Sequence, residues 1–300
     1  MLAERYQLIK QIGSGACATI YQALDTSTNT HVVIKKWHQF YASSYTEADI
    51  LYQLLDTDPT HAGYDYTLRI LDHFEDPDHS DAVCIVLPLM EGSLYDLLKE
   101  YPQGMTDEIV KELTRQMCLS LSYVHACSII HGDIKPENFL YYRKGTTYHL
   151  LLCDFSHAIY KDNPVQPPQL IQTKHYRCME SIIGCGTYTT KSDMTSIGCL
   201  VGELYKGKYV LTLSHIDTND IKQKEEHCNS LLSFFDKNTI RDSISRYPLI
   251  ESFLYSIPTQ SLHTICSDPQ WMDIMKKWLH PIPEVRLSAT DSLQHEWLQT

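Results

Sequence analysis

Three hundred residues, 43% hydrophobic and 21% charged, with only 12 glycines and 13 prolines, describe a globular chain with enough apolar material for a sizeable core. That composition excludes a disordered or fibrous protein. Twenty-five Lys and Arg against 37 Asp and Glu leave a net charge of −12, which repels a phosphate backbone and favours a basic partner, so no direct nucleic-acid binding is expected. The ten cysteines are scattered, with no CxxC pair and no HExxH, which points to reduced thiols and not to a disulfide framework or a zinc site. No apolar run approaches the roughly 20 residues of a membrane span, and Met1 to Arg5 leave no room for a signal peptide before the first strand signal. The expectation is an intracellular monomer of the cytoplasm and/or nucleus, away from membranes.

In chain order, β-rich runs occupy Tyr6 to Ile12, Thr19 to Leu24, His31 to Trp37, Leu68 to Phe74 and Ala82 to Leu87. A helix over Ser43 to Leu55 interrupts them, because Ala48, Leu51, Leu54 and Leu55 recur on one face. From Thr106 the pattern turns helical. Thr106 is placed to cap a helix whose stripe is Ile109, Leu113, Met117, Leu121 and Val124. Further helices are predicted at Thr190 to Tyr205, Lys224 to Phe235, Trp271 to Trp278 and Ala289 to Leu298, whereas Pro164, Pro167 and Pro168 make Tyr160 to Gln172 an exposed loop. The fold class is therefore α+β: a β-rich small lobe to about residue 90, then a helical large lobe, with the chemistry between them.

Gly13-Ser14-Gly15-Ala16-Cys17-Ala18 lies between two strand signals, where glycines allow a backbone turn to approach phosphates or simply close a hairpin. Val32-Val33-Ile34-Lys35 then places a lysine on a strand, with Glu47 on the following helix as its partner. Lys36 points to the opposite strand face. Most informative is His131-Gly132-Asp133-Ile134-Lys135-Pro136-Glu137-Asn138, with Asp154-Phe155-Ser156 sixteen residues after the asparagine. Two carboxylates and an amide at these spacings divide the labour of phosphoryl transfer: Asp133 for the hydroxyl proton, Asn138 and Asp154 for magnesium.

On these residues the sequence resembles the eukaryotic protein kinases over nearly its whole length. The resemblance implies a bilobal kinase domain over 1–300, with a small lobe at 1–90 and a large lobe at 91–300 carrying an insert at about 208–250. It implies ATP and Mg2+ as cofactors. Asp133, Lys135, Lys35, Glu47, Asn138 and Asp154 become the catalytic set, with Asn138 and Asp154 on the metal. Ile12, Gly13, Ser14, Gly15, Ala18, Ile20, Val33 and Lys35 would surround the nucleotide. Leu87 would be the gatekeeper, Pro88 and Met90 the adenine contacts and Leu140 the adenine floor. Lys135 matches the serine/threonine pattern. Thr173, Arg177 and Glu180 match the substrate platform, with Arg286 as the buried partner of Glu180, and Asp193 matches the aspartate that anchors the catalytic loop. The segments around Asp133, Thr173 and Ile183 to Tyr188 look most like the SR-protein kinases of the CMGC group, with LAMMER, Prp4-like and DYRK/HIPK-like branches as alternatives. That branch implies an arginine-rich protein substrate, with Glu225-Glu226-His227 in its docking groove.

The sequence also departs from the family pattern. Gly132 stands where an arginine usually receives an activation-loop phosphate, Ser156 replaces a glycine, Ala18 replaces the third loop glycine and Thr195 a tryptophan. These motivate a rival reading as a pseudokinase scaffold, which the intact Lys35, Asp133, Asn138 and Asp154 oppose. Between His157 and Met179 the hydroxyls are Tyr160, Thr173 and Tyr176 alone, so constitutive activity is expected, with tyrosine autophosphorylation as the rival.

Overall fold

The computed structural model describes residues 2–15, 17–38, 43–76, 79–161, 170–211, 213, 221–236, 240, 241, 244 and 261–299. Its first lobe is an antiparallel five-stranded sheet in the order β1-β2-β3-β5-β4. The strands are β1 (Tyr6–Ser14), β2 (Ala18–Asp25), β3 (Thr30–Trp37), β4 (Asp72–Asp76) and β5 (His79–Pro88), with helix α1 (Ser43–Asp56) between β3 and β4. Alternation along β3 assigns its two faces. Val32 and Ile34 enter a small cluster with Tyr6, Ala23, Cys84 and Val86, while Trp37 joins Ile50, Leu51, Val83 and Ile85 in the main core. Lys35 therefore sits on the inner face, with Trp37. Lys36 lies on the other face and pairs with the buried Asp76 at 2.8 Å.

After β5 the chain crosses to the second lobe through β6 (Gly92–Ser93), α2 (Leu94–Glu100) and α3 (Asp107–Ala126). Two hairpin-like pairings follow. β8 (Phe139–Lys144) pairs with β9 (Thr147–Leu152), and β10 (Ile159–Tyr160) pairs back onto β7 (Ile129–Ile130). The helices α4 (Met179–Ile183), α5 (Thr190–Lys206), α6 (Ile221–Leu232), α7 (Pro269–Trp278), α8 (Ala289–Ser292) and α9 (Glu296–Gln299) follow among the described residues of the lobe. Helix α5 is the axis: thirteen of its residues are buried. A reciprocal box between Thr189 and Ser192 starts it, and Gly207 at φ 67° ends it, where a side chain would strike the Pro102 carbonyl. All ten cysteines are free thiols. No helix among the described residues is long and apolar enough to cross a membrane.

The bilobal α+β arrangement is as expected, with local differences. Leu68 to Leu71 is not strand. Leu68 and Ile70 are buried, but their stretch bonds outward, Leu68 N–H to Leu152 O at 2.9 Å and Leu71 N–H to Val86 O at 2.9 Å, and β4 begins only at Asp72. The apolar alternation there reports burial and not pairing. Thr106 does precede α3, yet its hydroxyl makes no capping bond, and Val110 replaces Ile109 as the fully buried first member of the stripe. The helix predicted at Ala289 to Leu298 is two short pieces broken at Leu293 to His295. Pro164, Pro167 and Pro168, and much of the insert at 208–250, lie outside the described residues.

Candidate active site

The cleft's upper wall is β3. Lys35 Nζ donates to Glu47 Oε1 at 2.8 Å and to Asp154 Oδ1 at 2.7 Å, so one ammonium ties the sheet to α1 and to the far lobe. Trp37, two residues on and on the same face, donates Nε1–H to Glu47 Oε2 at 3.1 Å. Glu47 is thereby held at both oxygens. Burial would push the Lys35 amine towards neutrality, but the two carboxylates outweigh it and hold its pKa above the usual lysine value. Asp154 is also pushed upward by burial, and the Lys35 charge and hydrogen bond overcome that, leaving it well below the ordinary carboxylate range. Asp154 adopts a left-handed backbone (φ 62°), and Phe155 turns inward against the His131 ring, edge to face at 4.9 Å.

The floor is the loop from His131 to Asn138. Asp193, at the start of α5, accepts the His131 N–H and the Gly132 N–H, both at 2.9 Å, and the His125 Nε2–H at 2.9 Å. That buried carboxylate fixes the loop's backbone. His131 donates Nε2–H to Cys153 O at 3.0 Å and accepts the Asp133 N–H on Nδ1 at 3.3 Å, a pattern that needs the neutral imidazole its burial enforces. Asp133 is the most closely held of the site's carboxylates. Its Oδ1 accepts the Thr173 N–H at 3.0 Å and hydroxyl at 2.7 Å, and its Oδ2 accepts Lys135 Nζ at 2.6 Å. Burial pushes Asp133 up, and the Lys135 charge pulls it back below the usual aspartate value, so it is ionised at neutral pH. Asn138 donates Nδ2–H to the Asp133 carbonyl at 2.8 Å, which leaves its amide oxygen as the acceptor end.

Beyond Thr173 lies the platform. Gln172, at φ 70°, donates to Ser192 O at 2.9 Å and to Ser196 Oγ at 2.8 Å, and accepts the Cys178 N–H at 2.9 Å. Arg177 Nε donates to the Gln172 carbonyl at 2.9 Å. Glu180 meets Arg286 through two hydrogen bonds, at 2.6 and 2.5 Å. The guanidinium's remaining donors go to the carbonyls of His280, Pro281 and Lys191, while Ser192 donates to Glu180 Oε1. Tyr176 is buried and donates its hydroxyl to Glu203 at 2.5 Å; burial pushes the Glu203 carboxyl up to about 7.

The remaining predicted residues lie along the β1–β2 hairpin, β3, the segment after β5 and β8. Gly13 pairs with Ile20 and Ser14 with Thr19 across the β1–β2 hairpin, and the Gly15 N–H donates to Ala18 O at 2.9 Å. Ala18 turns its methyl into the main core, so it serves the turn with its carbonyl. Ile12 is 45% exposed, and Ile20 and Val33 are half-buried. Val33 lies opposite Leu87 on the Lys35 face of the sheet. Pro88, Met90 and Leu140 are half-buried below it. Tyr160 and Ser156 are half-buried too. Gly132 has φ +75°, and a Cβ there would lie 2.7 Å from His157 O. His227 is buried, with burial first and then the charges of Arg177, His175 and Lys174 opposing its protonation, so it does not join Glu225 and Glu226 in a surface groove. The roles of Trp37 and Gln172 were missed from sequence. Trp37 carried a usable signal, being two residues from Lys35 on one strand face; the partners of Gln172 are too distant along the chain to signal anything.

Known proteins resemble this chain in sequence and in fold. The family model of the protein kinase domain matches residues 6–298. The chain is 29% identical over 98% of its length to dual specificity protein kinase lkh1 of Schizosaccharomyces pombe. It is 29% identical over 99% to dual specificity tyrosine-phosphorylation-regulated kinase 2 of Drosophila melanogaster, and 27% identical over 99% to serine/threonine-protein kinase prpf4B of Dictyostelium discoideum. It spans 46%, 42% and 40% of those proteins, less than half of each. A crystal structure of a kinase domain shares the fold with a TM-score of 0.78 at 22% identity, covering 99% of this chain and 96% of that one.

Proposed function

The chain belongs to the protein kinase family, and from that premise we propose that its cleft transfers the γ-phosphate of ATP to serine and threonine hydroxyls of a protein. The observation that carries this reading is the double hold on Asp133, by Thr173 on one oxygen and Lys135 on the other, below a Lys35 that is itself fixed between Glu47 and Asp154. Asp133 orients the acceptor hydroxyl and takes its proton as the new bond forms. Lys135, beside it, offsets the charge gathering at the transferred group. Lys35 neutralises ATP phosphates, and Glu47 and Trp37 keep it from swinging away. The backbone turn at Gly13 to Gly15 covers the phosphates, and Ile12, Ile20, Val33, Leu87 and Leu140 enclose the adenine against the backbone of Pro88 and Met90.

The amide oxygen of Asn138 and the carboxylate of Asp154 are hard oxygen donors, a pair that suits magnesium, which prefers one or two protein ligands plus phosphates and water. When bound there it supplies positive charge to the β- and γ-phosphate oxygens. Ser156 leaves that carboxylate in place, and Phe155 is packed inward; both support an enzyme over a scaffold.

The finer assignment is an SR-protein-kinase-like enzyme acting as a monomer on basic, arginine-rich protein, drawn in by the net charge of −12. The similarity to proteins named as dual specificity and prpf4B kinases supports the neighbouring CMGC branches as the second reading, with tyrosine as an additional acceptor. The test incubates the purified chain with ATP, magnesium and matched peptides bearing Ser, Thr or Tyr in arginine-rich, neutral or acidic flanks. Transfer to serine and threonine, favoured by arginine and weakening steeply with salt, is expected. A preference for acidic flanks throughout would overturn the basic-substrate assignment, and transfer to none of the peptides would overturn the activity.

A further inference from the structure

Helix α1 is tied to the rest of the molecule at two places. At its far end the last carbonyls are taken by side chains from outside the helix. Leu55 O accepts the Tyr64 hydroxyl at 2.9 Å and Leu54 O the Tyr123 hydroxyl, while Gln53 Nε2–H donates to Cys127 O at 3.1 Å. Tyr123 lies in α3 and Cys127 caps it, so this end is fastened to the large lobe. Nearer its start, Glu47 binds β3 twice. Its Oε1 accepts Lys35 Nζ and its Oε2 the Trp37 indole N–H, from residues two apart on one face of the strand. Anchors so spaced stand about 7 Å apart along a strand. One bond would fix a distance and leave the carboxylate free to rotate; two fix its plane, and with it the turn of α1 that carries it. Trp37 is a firm anchor. It is 1% exposed, sits in the main core opposite Ala18 of β2, and holds its ring centre 5.0 Å from the Lys35 ammonium.

The two bonds to Glu47 have unlike fates during the reaction. Lys35 has to share its ammonium with the phosphates of ATP, so its hold on Glu47 weakens once the nucleotide is bound. The indole N–H is uncharged and lies in the dry core, so its bond to Glu47 persists. Burial opposes the ionised form of Glu47, and the Lys35 charge and then the Trp37 bond support it. The activation segment offers no replacement for that bond. Residues 161–172 contain no Ser, Thr or Tyr, and position 132 is glycine. The Thr173 hydroxyl is given to Asp133, and the Tyr176 hydroxyl is buried on Glu203. We propose that Trp37 is a positioning residue for phosphoryl transfer, whose indole N–H keeps α1 in its catalytic place while Lys35 is engaged with ATP, so that neither a loop phosphate nor a second protein is needed to bring the helix in. The proposal rests on the kinase reading of the cleft. It places control of α1 in a bond inside the small lobe, on a side chain that touches neither ATP nor the acceptor.

The test compares the parent chain with Trp37→Phe, which keeps a ring in the core and removes the N–H. The variant should lower kcat/KM for ATP about ten- to a hundredfold, the worth of one hydrogen bond to a charged group. In a Glu47→Gln background, where the one side-chain oxygen goes to Lys35, the same change should cost less than about threefold. Hydrogen exchange at the α1 amides should quicken by a factor comparable to the loss of kcat/KM, with α3 unchanged. Trp278→Phe is the control for losing a buried indole bond, since Trp278 donates to Ser292 Oγ at 2.8 Å in the large lobe; it should leave kcat/KM within about twofold. If Trp37→Phe does not fold, benzothienylalanine at position 37 keeps the shape of the side chain, lacks only the N–H, and should give the same losses. A kcat/KM within twofold of the parent, an equal loss in the Glu47→Gln background, or faster exchange spread evenly over α1 and α3 would overturn the proposal. Failure of the parent to phosphorylate any peptide would instead count against the kinase reading, and the exchange comparison would then still decide whether Trp37 fixes α1.

Discussion

Two ion-paired clusters hold the large lobe's functional loops, and they are built to opposite ends. Glu180 and Arg286 are sealed, with side chains 6% and 0% exposed, and every guanidinium donor has an acceptor. Lys35, Glu47 and Asp154 form an open cluster: Glu47 is buried, but the Asp154 side chain is 35% exposed on the cleft. The sealed pair can only be kept or broken, and breaking it strands a charge in the core. The open one can exchange a carboxylate for an incoming anion without leaving either charge dry. The difference separates the part of the molecule that holds its shape from the part that binds and reacts.

If the open cluster is the reactive one, Asp154→Asn should lower kcat by several orders of magnitude with little change in melting temperature, since it acts on charge that develops in the transition state, whereas Lys35→Met should lower kcat as far and also lower the melting temperature, because Glu47 is left buried without its ammonium. Rates within tenfold of the parent would remove the distinction. If the sealed cluster is structural, Arg286→Ala should cost about 3–5 kcal/mol in urea unfolding because Glu180 is left buried and unpaired. Parent-like unfolding would show that the pair carries no structural burden. Gly132→Ala should cost about 1–3 kcal/mol, since the left-handed backbone and the His157 carbonyl both oppose a Cβ; thermal melting checks it.

Glu203 extends the comparison to pH. Its folded-state pKa is raised by burial to about 7, above an unfolded value near 4.5, so its protonated form stabilises the fold. That contribution, up to about 3 kcal/mol, is complete below pH about 4.5 and is lost as pH rises towards 7. Glu203→Gln should therefore flatten the fall in melting temperature across that window, and an unchanged slope would place the titration elsewhere. The smallest effect concerns regulation. With Thr173 already on Asp133, Tyr176 buried and no arginine at position 132, phosphatase treatment should change initial rates by less than about twofold. Near-complete loss, restored by rephosphorylation at Tyr160, Thr173 or Tyr176, would contradict constitutive activity.

Much of the site could be read locally. Strand parity separated Lys35 from Lys36, and the structure sends them to opposite faces, one to Glu47 and one to Asp76. The interval from Asn138 to Asp154 spans one hairpin, β8 to β9, whose length the sequence states directly. What stayed hidden depends on residues brought together from afar. Gln172 binds the backbone of Ser192 and the hydroxyl of Ser196, twenty and more positions on, and nothing around Gln172 announces this. Leu68 and Ile70 misled for a related reason: alternation records which side chains are buried, not where the backbone bonds go. His227 looked like a neighbour of Glu225 and Glu226, but helical geometry turns it inward, towards the platform.

The central claim is that Asp133, held by Thr173 and Lys135, performs phosphoryl transfer. Its most direct test measures initial rates of 32P transfer from ATP with magnesium to a serine peptide, for the parent chain and for Asp133→Asn, alongside thermal melting of both. The account predicts transfer by the parent and a loss of about a thousandfold or more in the variant at an unchanged melting temperature. Equal rates in the two proteins, or no transfer by the parent, would contradict it.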